Sequence, residues 1–308
     1  MDATEHGTIG EFGAHGWSTV RPVGELRPGD HAWLASHHPE EKERVVGDFV
    51  FDGLNTAQRV VCLTDVEPHR LPGMYARHHI DVRPFTEADH LRVIPWRLAC
   101  GRQGRADPEQ LGRTLERELD RAFSERFRAA RILADMTWAA DVPGGVEFML
   151  ACDGAMERLI GPSTRAIALC QVDLRAVRSA DALNALRNHH EVLVEVNPEY
   201  DDGVLRMTRT YAPHGLRLEG EIDGARHPVL TDALTTVSRP RAEVHLELGN
   251  LKFIDLGALK MLGAHAMELT RGNGLVLDNP TPDLEGVIRM VGFHLFPGIT
   301  RGEGWRSM

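Results

Sequence analysis

Lysine is almost missing from this chain. Only three of its 35 basic residues are lysines, Lys42, Lys252 and Lys260, and none follows a glycine in a Gly-x-x-x-x-Gly-Lys-Ser/Thr setting. A phosphate-binding loop needs backbone amides and one such lysine against the phosphates, so nucleotide hydrolysis of that kind is not expected. Cysteine is scarce as well. Cys62, Cys100, Cys152 and Cys170 are widely spread with no Cys-x-x-Cys pair, the usage of reduced thiols rather than of a disulfide framework. No apolar run approaches the ~20 residues that cross a bilayer. The segment Met1–Gly7 lacks the basic start and apolar core of a secretion signal. A cytoplasmic protein without a membrane partner is expected.

Other absences concern chemistry. There is no Gly-x-Ser-x-Gly and no His-Glu-x-x-His, so neither a nucleophile elbow nor a helical zinc pair is indicated. The sequence has 16 histidines, among them the adjacent pairs His37-His38, His78-His79 and His189-His190. Adjacent side chains point apart on strands and helices alike, so these read as scattered surface histidines, and no metal or cofactor is expected. The net charge is −10, which argues against a nucleic-acid partner because such binding rests on basic residues neutralising phosphates. Arg121, Arg126, Arg128 and Arg131 cluster, but Glu116, Glu118, Asp120 and Glu125 interleave with them. That pattern is an ion-paired helix face.

What is present is an ordinary globular composition, 42% apolar and 26% charged, in a chain whose 308 residues suit two domains. Residues 1–20 are rich in Gly, His and Thr without periodicity and read as a tail. Residues 21–198 alternate strands and helices. Helical spacing over Pro39–Leu54 precedes β-branched runs at Arg59–Asp65 and Leu91–Trp96. A helix starts at Asp107-Pro108, with Asp107 as N-cap and Pro108 at the first position. Arg131–Trp138 and Arg165–Asp173 read as strands, Val146–Ile160 and Ala180–Leu186 as helices, and Glu191–Val196 as a last edge strand. The alternation predicts an α/β fold with a doubly wound, mostly parallel sheet. Asn197–Gly203 is polar and breaker-rich and marks a boundary. Residues 199–308 then form a smaller α/β domain: strands at Val204–Tyr211, Gly215–Ile222, Val244–Leu248 and Leu275–Asp278, with helices at His227–Val237, Leu256–Arg271 and Pro282–Val291.

Two stretches of this second domain carry a family resemblance. Leu248–Leu259 is a strand–turn–helix, and Leu218-Glu-Gly-Glu-Ile-Asp223 is an early strand. Together they resemble the STAS domains of anti-sigma factor antagonists, where a turn like Asp-Ser-Ser-Gly-Leu has its second serine phosphorylated. Here Asp255 keeps the acidic position, Leu256 and Gly257 replace the serines, Ala258 replaces the glycine, and Leu259 keeps the last place. The resemblance implies a protein-docking surface without chemistry of its own, whose partner is an anti-sigma factor or kinase-fold regulator. The substitutions remove the phosphate switch. Asp255, Leu256, Gly257, Ala258 and Leu259 are the candidate docking residues. The competing reading has Leu256 packing into the core and Asp255 acting only as an N-cap.

The first domain resembles the MEDS family, a sensory domain of bacterial regulators with a RecA-like architecture. The matching segments are His31-Ala-Trp-Leu-Ala-Ser36, with Trp33 and Ser36 in the places of a cysteine and a tyrosine, the strand Arg59–Asp65, the tetrapeptide Asp135-Met-Thr-Trp138, Leu169–Asp173, and His189-His190. The resemblance implies binding of a small organic compound. The residues left to do so are His31, Asp65, Asp135, Cys170 and Asp173, expected along the C-terminal edge of the parallel sheet, where open α/β sheets bind ligands. Against this, strand-end aspartates often only cap helices or loops. The expectation is a regulator and not an enzyme. An enzyme using Asp135 or Asp173 as a base, and a scaffold that only oligomerises, are the alternatives.

Overall fold

β-branched runs that can be buried on both faces alternate with amphipathic stretches through the first half of the chain, and in the computed structural model they become strands and helices. Residues 18–102, 105–141, 144–177, 180–238, 242–269 and 274–305 are described; most of the expected tail, 1–17, lies outside them. The chain divides into two units, Met1–Glu195 and Val196–Met308.

The first unit contains strands β1 (Thr19–Pro22) and β2 (His31–Ser36), helix α1 (Pro39–Asn55), strands β3 (Arg59–Leu63) and β4 (Leu91–Ile94), and helix α2 (Pro108–Ser124). Strand β5 (Ala130–Asp135), helix α3 (Gly145–Ile160), strand β6 (Ala166–Asp173), helix α4 (Ala180–Asn188) and strand β7 (Val192–Glu195) follow. The sheet order is β1-β7-β2-β6-β5-β3-β4, and every pairing is parallel. Asp107 caps α2 through the N–H of Glu109, with Pro108 behind it, as its sequence dictates.

Two expectations change. β7 is not an edge strand, because β1 pairs outside it, Thr19 against Val192 and Pro22 against Glu195. The short Thr-Val-Arg-Pro run beside a Gly-rich segment gave no strand signal of its own. The strand expected to reach Trp138 stops at Asp135, where the carboxylate turns back to accept the N–H of Thr137.

The route from β2 to β3 crosses the sheet in the opposite direction to those through α2, α3 and α4. Right-handed crossovers therefore place α1 on one face and the other three on the opposite one. Adjacent residues of β5 show the two faces: the Arg131 guanidinium sits 5.0 Å over the Phe49 ring of α1, while Ile132 joins Leu111, Leu115, Met149 and Met156 in the core under α2 and α3. Arg59, fully buried on β3, is bound by Glu118 (3.3 Å), Asp89 (2.9 Å) and Glu125 (2.9 Å). The sequence expected Glu118 and Glu125 to pair with the arginines of their own neighbourhood; instead they also neutralise one from the sheet.

The second unit contains β8 (Tyr200–Asp201), β9 (Leu205–Tyr211), β10 (His214–Ile222), α5 (His227–Val237), β11 (Val244–Ile254), α6 (Leu256–Glu268), β12 (Leu275–Asp278), α7 (Pro282–Met290) and β13 (Ile299–Arg301). They form a mixed sheet in chain order, antiparallel from β8 to β10 and parallel from β10 to β13. β11 runs six residues beyond its expected end at Leu248, so the 248–259 motif is mostly strand. The glycine of Leu218–Asp223 has a physical reason. Gly220 takes φ +93°, and a Cβ there would collide with the carbonyl of Val204, so only glycine fits where β10 meets the start of β9 and shifts register against β11.

Candidate functional site

In the first unit the residues with chemistry separate into two groups. Asp65, Asp135 and Asp173 lie at the C-terminal edge of the sheet, as expected, but each is engaged locally. Asp65 accepts the N–H of Trp96. Asp135 pairs with Lys42 at 2.9 Å and caps Thr137. Asp173 is clamped by Arg175, whose guanidinium and N–H hold the carboxyl below the usual carboxylate range. The cleft beside Asp135, bounded by Lys42, Thr64 and Gln171, leaves about 10 Å3, room for one water.

His31 and Cys170 do not join that edge. His31 begins β2, at the opposite end of the sheet, and Cys170 sits mid-strand opposite Trp33. Parallel pairing puts both side chains on the face covered by α3, with His31 Nε2 3.1 Å from Cys170 Sγ. Two residues outside the expected set complete the group: Asp153 from α3 and His190 from the turn before β7. All four are at most 4% exposed, and one ligating atom from each lies within 4.8 Å of every other.

Asp153 Oδ1 is 3.0 Å from His190 Nε2 and 3.3 Å from His31 Nε2, yet neither approach has hydrogen-bond geometry. Both Asp153 oxygens and His190 Nε2 are buried without a hydrogen-bond partner. The outer ring nitrogens are satisfied instead. His31 Nδ1 donates to Glu157 Oε2 and His190 Nδ1 to the carbonyl of Leu186, each at 2.8 Å.

Burial disfavours a charged imidazole at both histidines. At His31 this is outweighed by Cys170, Asp153 and Glu157, and its pKa stands well above the usual value. At His190 the same opposition, with Asp153 the main counterweight, raises it to about 9. Burial likewise favours a neutral Asp153, but the two imidazoles reverse this and hold the carboxyl well below the ordinary range. The reading of the adjacent histidine pairs as surface residues therefore fails for His190, which is buried. One sequence signal pointed to Asp153: it shares the inward stripe of α3 with Met149, Met156 and Ile160, an acid at a core position of an amphipathic helix.

In the second unit, Asp255 caps α6 by accepting the N–H of Ala258 at 2.7 Å and also binds His227 Nε2 at 2.8 Å. Ala258 and Leu259 are buried and anchor the helix, so they do not offer a surface. Leu256 is 59% exposed and Phe253 48%, which overturns the alternative in which Leu256 packs into the core. Gly257 is exposed, with His227 against its backbone: a Cβ there would lie 2.5 Å from His227 Cε1.

Comparison with known proteins agrees with this division. The chain is similar to the KaiC-like protein of the hyperthermophilic archaeon Pyrococcus horikoshii OT3 (12% identity, 60% of this chain and 79% of that one, TM-score 0.39). It is also similar to the flagellar accessory protein FlaH of Methanocaldococcus jannaschii (12% identity, 64% and 88%, TM-score 0.33). No curated protein matches in sequence. No described helix is long and apolar enough to cross a membrane. Residues 205–297 match the family described as Mlab, STAS domain. Residues 30–190, more than half of the chain, match the methanogen/methylotroph DcmR sensory domain; the protein belongs to the MEDS family and carries a STAS domain behind its sensory domain.

Proposed function

We propose that the protein is a non-catalytic cytoplasmic regulator, in which the state of the MEDS domain governs how the STAS domain meets an anti-sigma factor or a related kinase-fold protein. The observation that carries the reading is the start of α6, where Leu256 and Phe253 are exposed beside Asp255 and no phosphorylatable side chain remains. An apolar helix start that no phosphate can charge presents a constant docking face. A phosphate there would add nearly two negative charges and reset it. Control must then come from elsewhere in the chain, and it requires that a ligand favour one arrangement over another.

The non-catalytic reading draws on the carboxylates of the sheet edge. Asp135 and Asp173 are paired with Lys42 and Arg175, and the cleft at Asp135 admits little more than a water, which leaves neither poised as a general base on a substrate. The test is co-purification of a kinase-fold partner, identified by mass spectrometry, with the wild-type chain and with Leu256→Glu. The variant should capture markedly less; equal capture removes the proposed face.

A further inference from the structure

The buried group between β2, β6 and α3 turns one possible ligand atom from each of four side chains toward a common point. The Asp153 carboxylate and His190 Nε2 make no hydrogen bond and have instead the close approaches among Asp153, His190 and His31, although burial makes a polar group without a hydrogen bond costly. Both imidazoles are locked by their Nδ1 atoms, His31 onto the Glu157 carboxylate and His190 onto the Leu186 carbonyl. That lock turns Nε2 of each ring inward, the tautomer and orientation imposed on metal-bound histidines by an outer carboxylate or carbonyl. Four different elements of the domain supply the four residues, so the convergence is a property of the fold and not of one local motif.

We infer that His31 Nε2, Asp153 Oδ1, Cys170 Sγ and His190 Nε2 bind a single divalent transition-metal ion, zinc being the one whose preferences match this mixed nitrogen, sulfur and oxygen set. Zinc–ligand bonds of about 2.0–2.3 Å place tetrahedral ligands roughly 3.3–3.8 Å apart. Of the six separations, three are 3.0, 3.1 and 3.3 Å, within about half an ångström of that, and all six are within 4.8 Å, so rotamer adjustments seat the ion. Charge also balances: one carboxylate, one thiolate and two neutral imidazoles sum to the opposite of a divalent cation. With four protein ligands and no exposed position, the site is closed, the form of structural and sensory zinc rather than catalytic zinc. The inference concerns this site alone and does not depend on the docking reading.

The experiment uses the full chain, stripped with a chelator and titrated with zinc by calorimetry and with cobalt by absorption spectroscopy. Expected are a single bound ion per chain, tetrahedral d–d bands, and a thiolate-to-cobalt charge-transfer band. Cys170→Ser, shown folded by circular dichroism, should lose that band. Its zinc affinity should fall by more than the roughly 10–100-fold that loss of an outer-shell partner costs. His189→Ala, altering the half-exposed neighbour 3.7 Å from Asp153 Oδ2, should keep both. A charge-transfer band surviving in Cys170→Ser, or folded wild-type chain that binds no ion, overturns the inference. X-ray absorption on the zinc-loaded wild-type chain decides independently of any variant's folding: one sulfur among nitrogen and oxygen neighbours supports the site, and a shell without sulfur refutes it.

Discussion

The start of α6 holds two leucines three residues apart with opposite surroundings, and that contrast can be measured. Leu259 is 4% exposed and belongs to the core with Leu246, Leu262 and Leu277; Leu256 is 59% exposed. Truncating a buried leucine to alanine removes its transfer free energy and leaves a cavity, about 2–5 kcal/mol in all. The same truncation at an exposed position changes stability by no more than about 0.5 kcal/mol, and alanine is the better helix former there. Leu259→Ala should therefore destabilise the STAS unit by about 3 kcal/mol, and Leu256→Ala should leave it nearly unchanged. Native-state hydrogen exchange of the β12 amides, which lie inside the sheet, reads this directly. Their exchange should quicken roughly a hundredfold in the first variant and hardly at all in the second. If Leu256→Ala costs more than about 2 kcal/mol, the leucine is a core residue and the surface argued from it does not exist.

Two further outcomes follow from buried charge and capping. Arg59→Met leaves Glu118, among the described residues, with Arg92 at 3.4 Å, and breaking such a buried pair costs about 3–5 kcal/mol; urea unfolding followed by the sensory domain's tryptophans should show it, and a loss under about 1 kcal/mol would mean that solvent reaches the arginine. At Asp255 the N–H of Ala258 holds the carboxyl below its ordinary 3.8, against burial and with help from His227. A lowered folded-state pKa contributes stability above the unfolded value, and that part is lost as pH falls through the folded one. Asp255→Ala should therefore cost about 1 kcal/mol at neutral pH and progressively less below pH 3.8, whereas a penalty constant into acid would show that the carboxylate charge plays no part.

The elements were legible in the sequence wherever period and punctuation agreed. Asp107-Pro108 announced α2, and the β-branched runs around Val60 and Ile132 announced central strands buried on both faces. β1 was not legible, since Thr19–Pro22 becomes a strand only by pairing with a segment some 170 residues later. The candidate site divided in the same way. His31 and Cys170 were marked by their motifs, but no motif could state that they meet Asp153 and His190, because that meeting is made by α3 crossing the sheet and by the chain returning after α4. The three edge aspartates stood where topology predicted them and were occupied by local caps and ion pairs, which a sequence pattern does not distinguish from a ligand site.

The imidazole lying against Gly257 bears on whether a side chain can be placed there. The STAS turns that this segment resembles carry a serine at this place, so Gly257→Ser is the change that would restore a phosphate acceptor. The new Cβ would arrive 2.5 Å from His227 Cε1. The ring would have to swing aside, which strains its bond to Asp255. The histidine thus guards the bare backbone: a side chain fits at 257 only after the imidazole at 227 has moved.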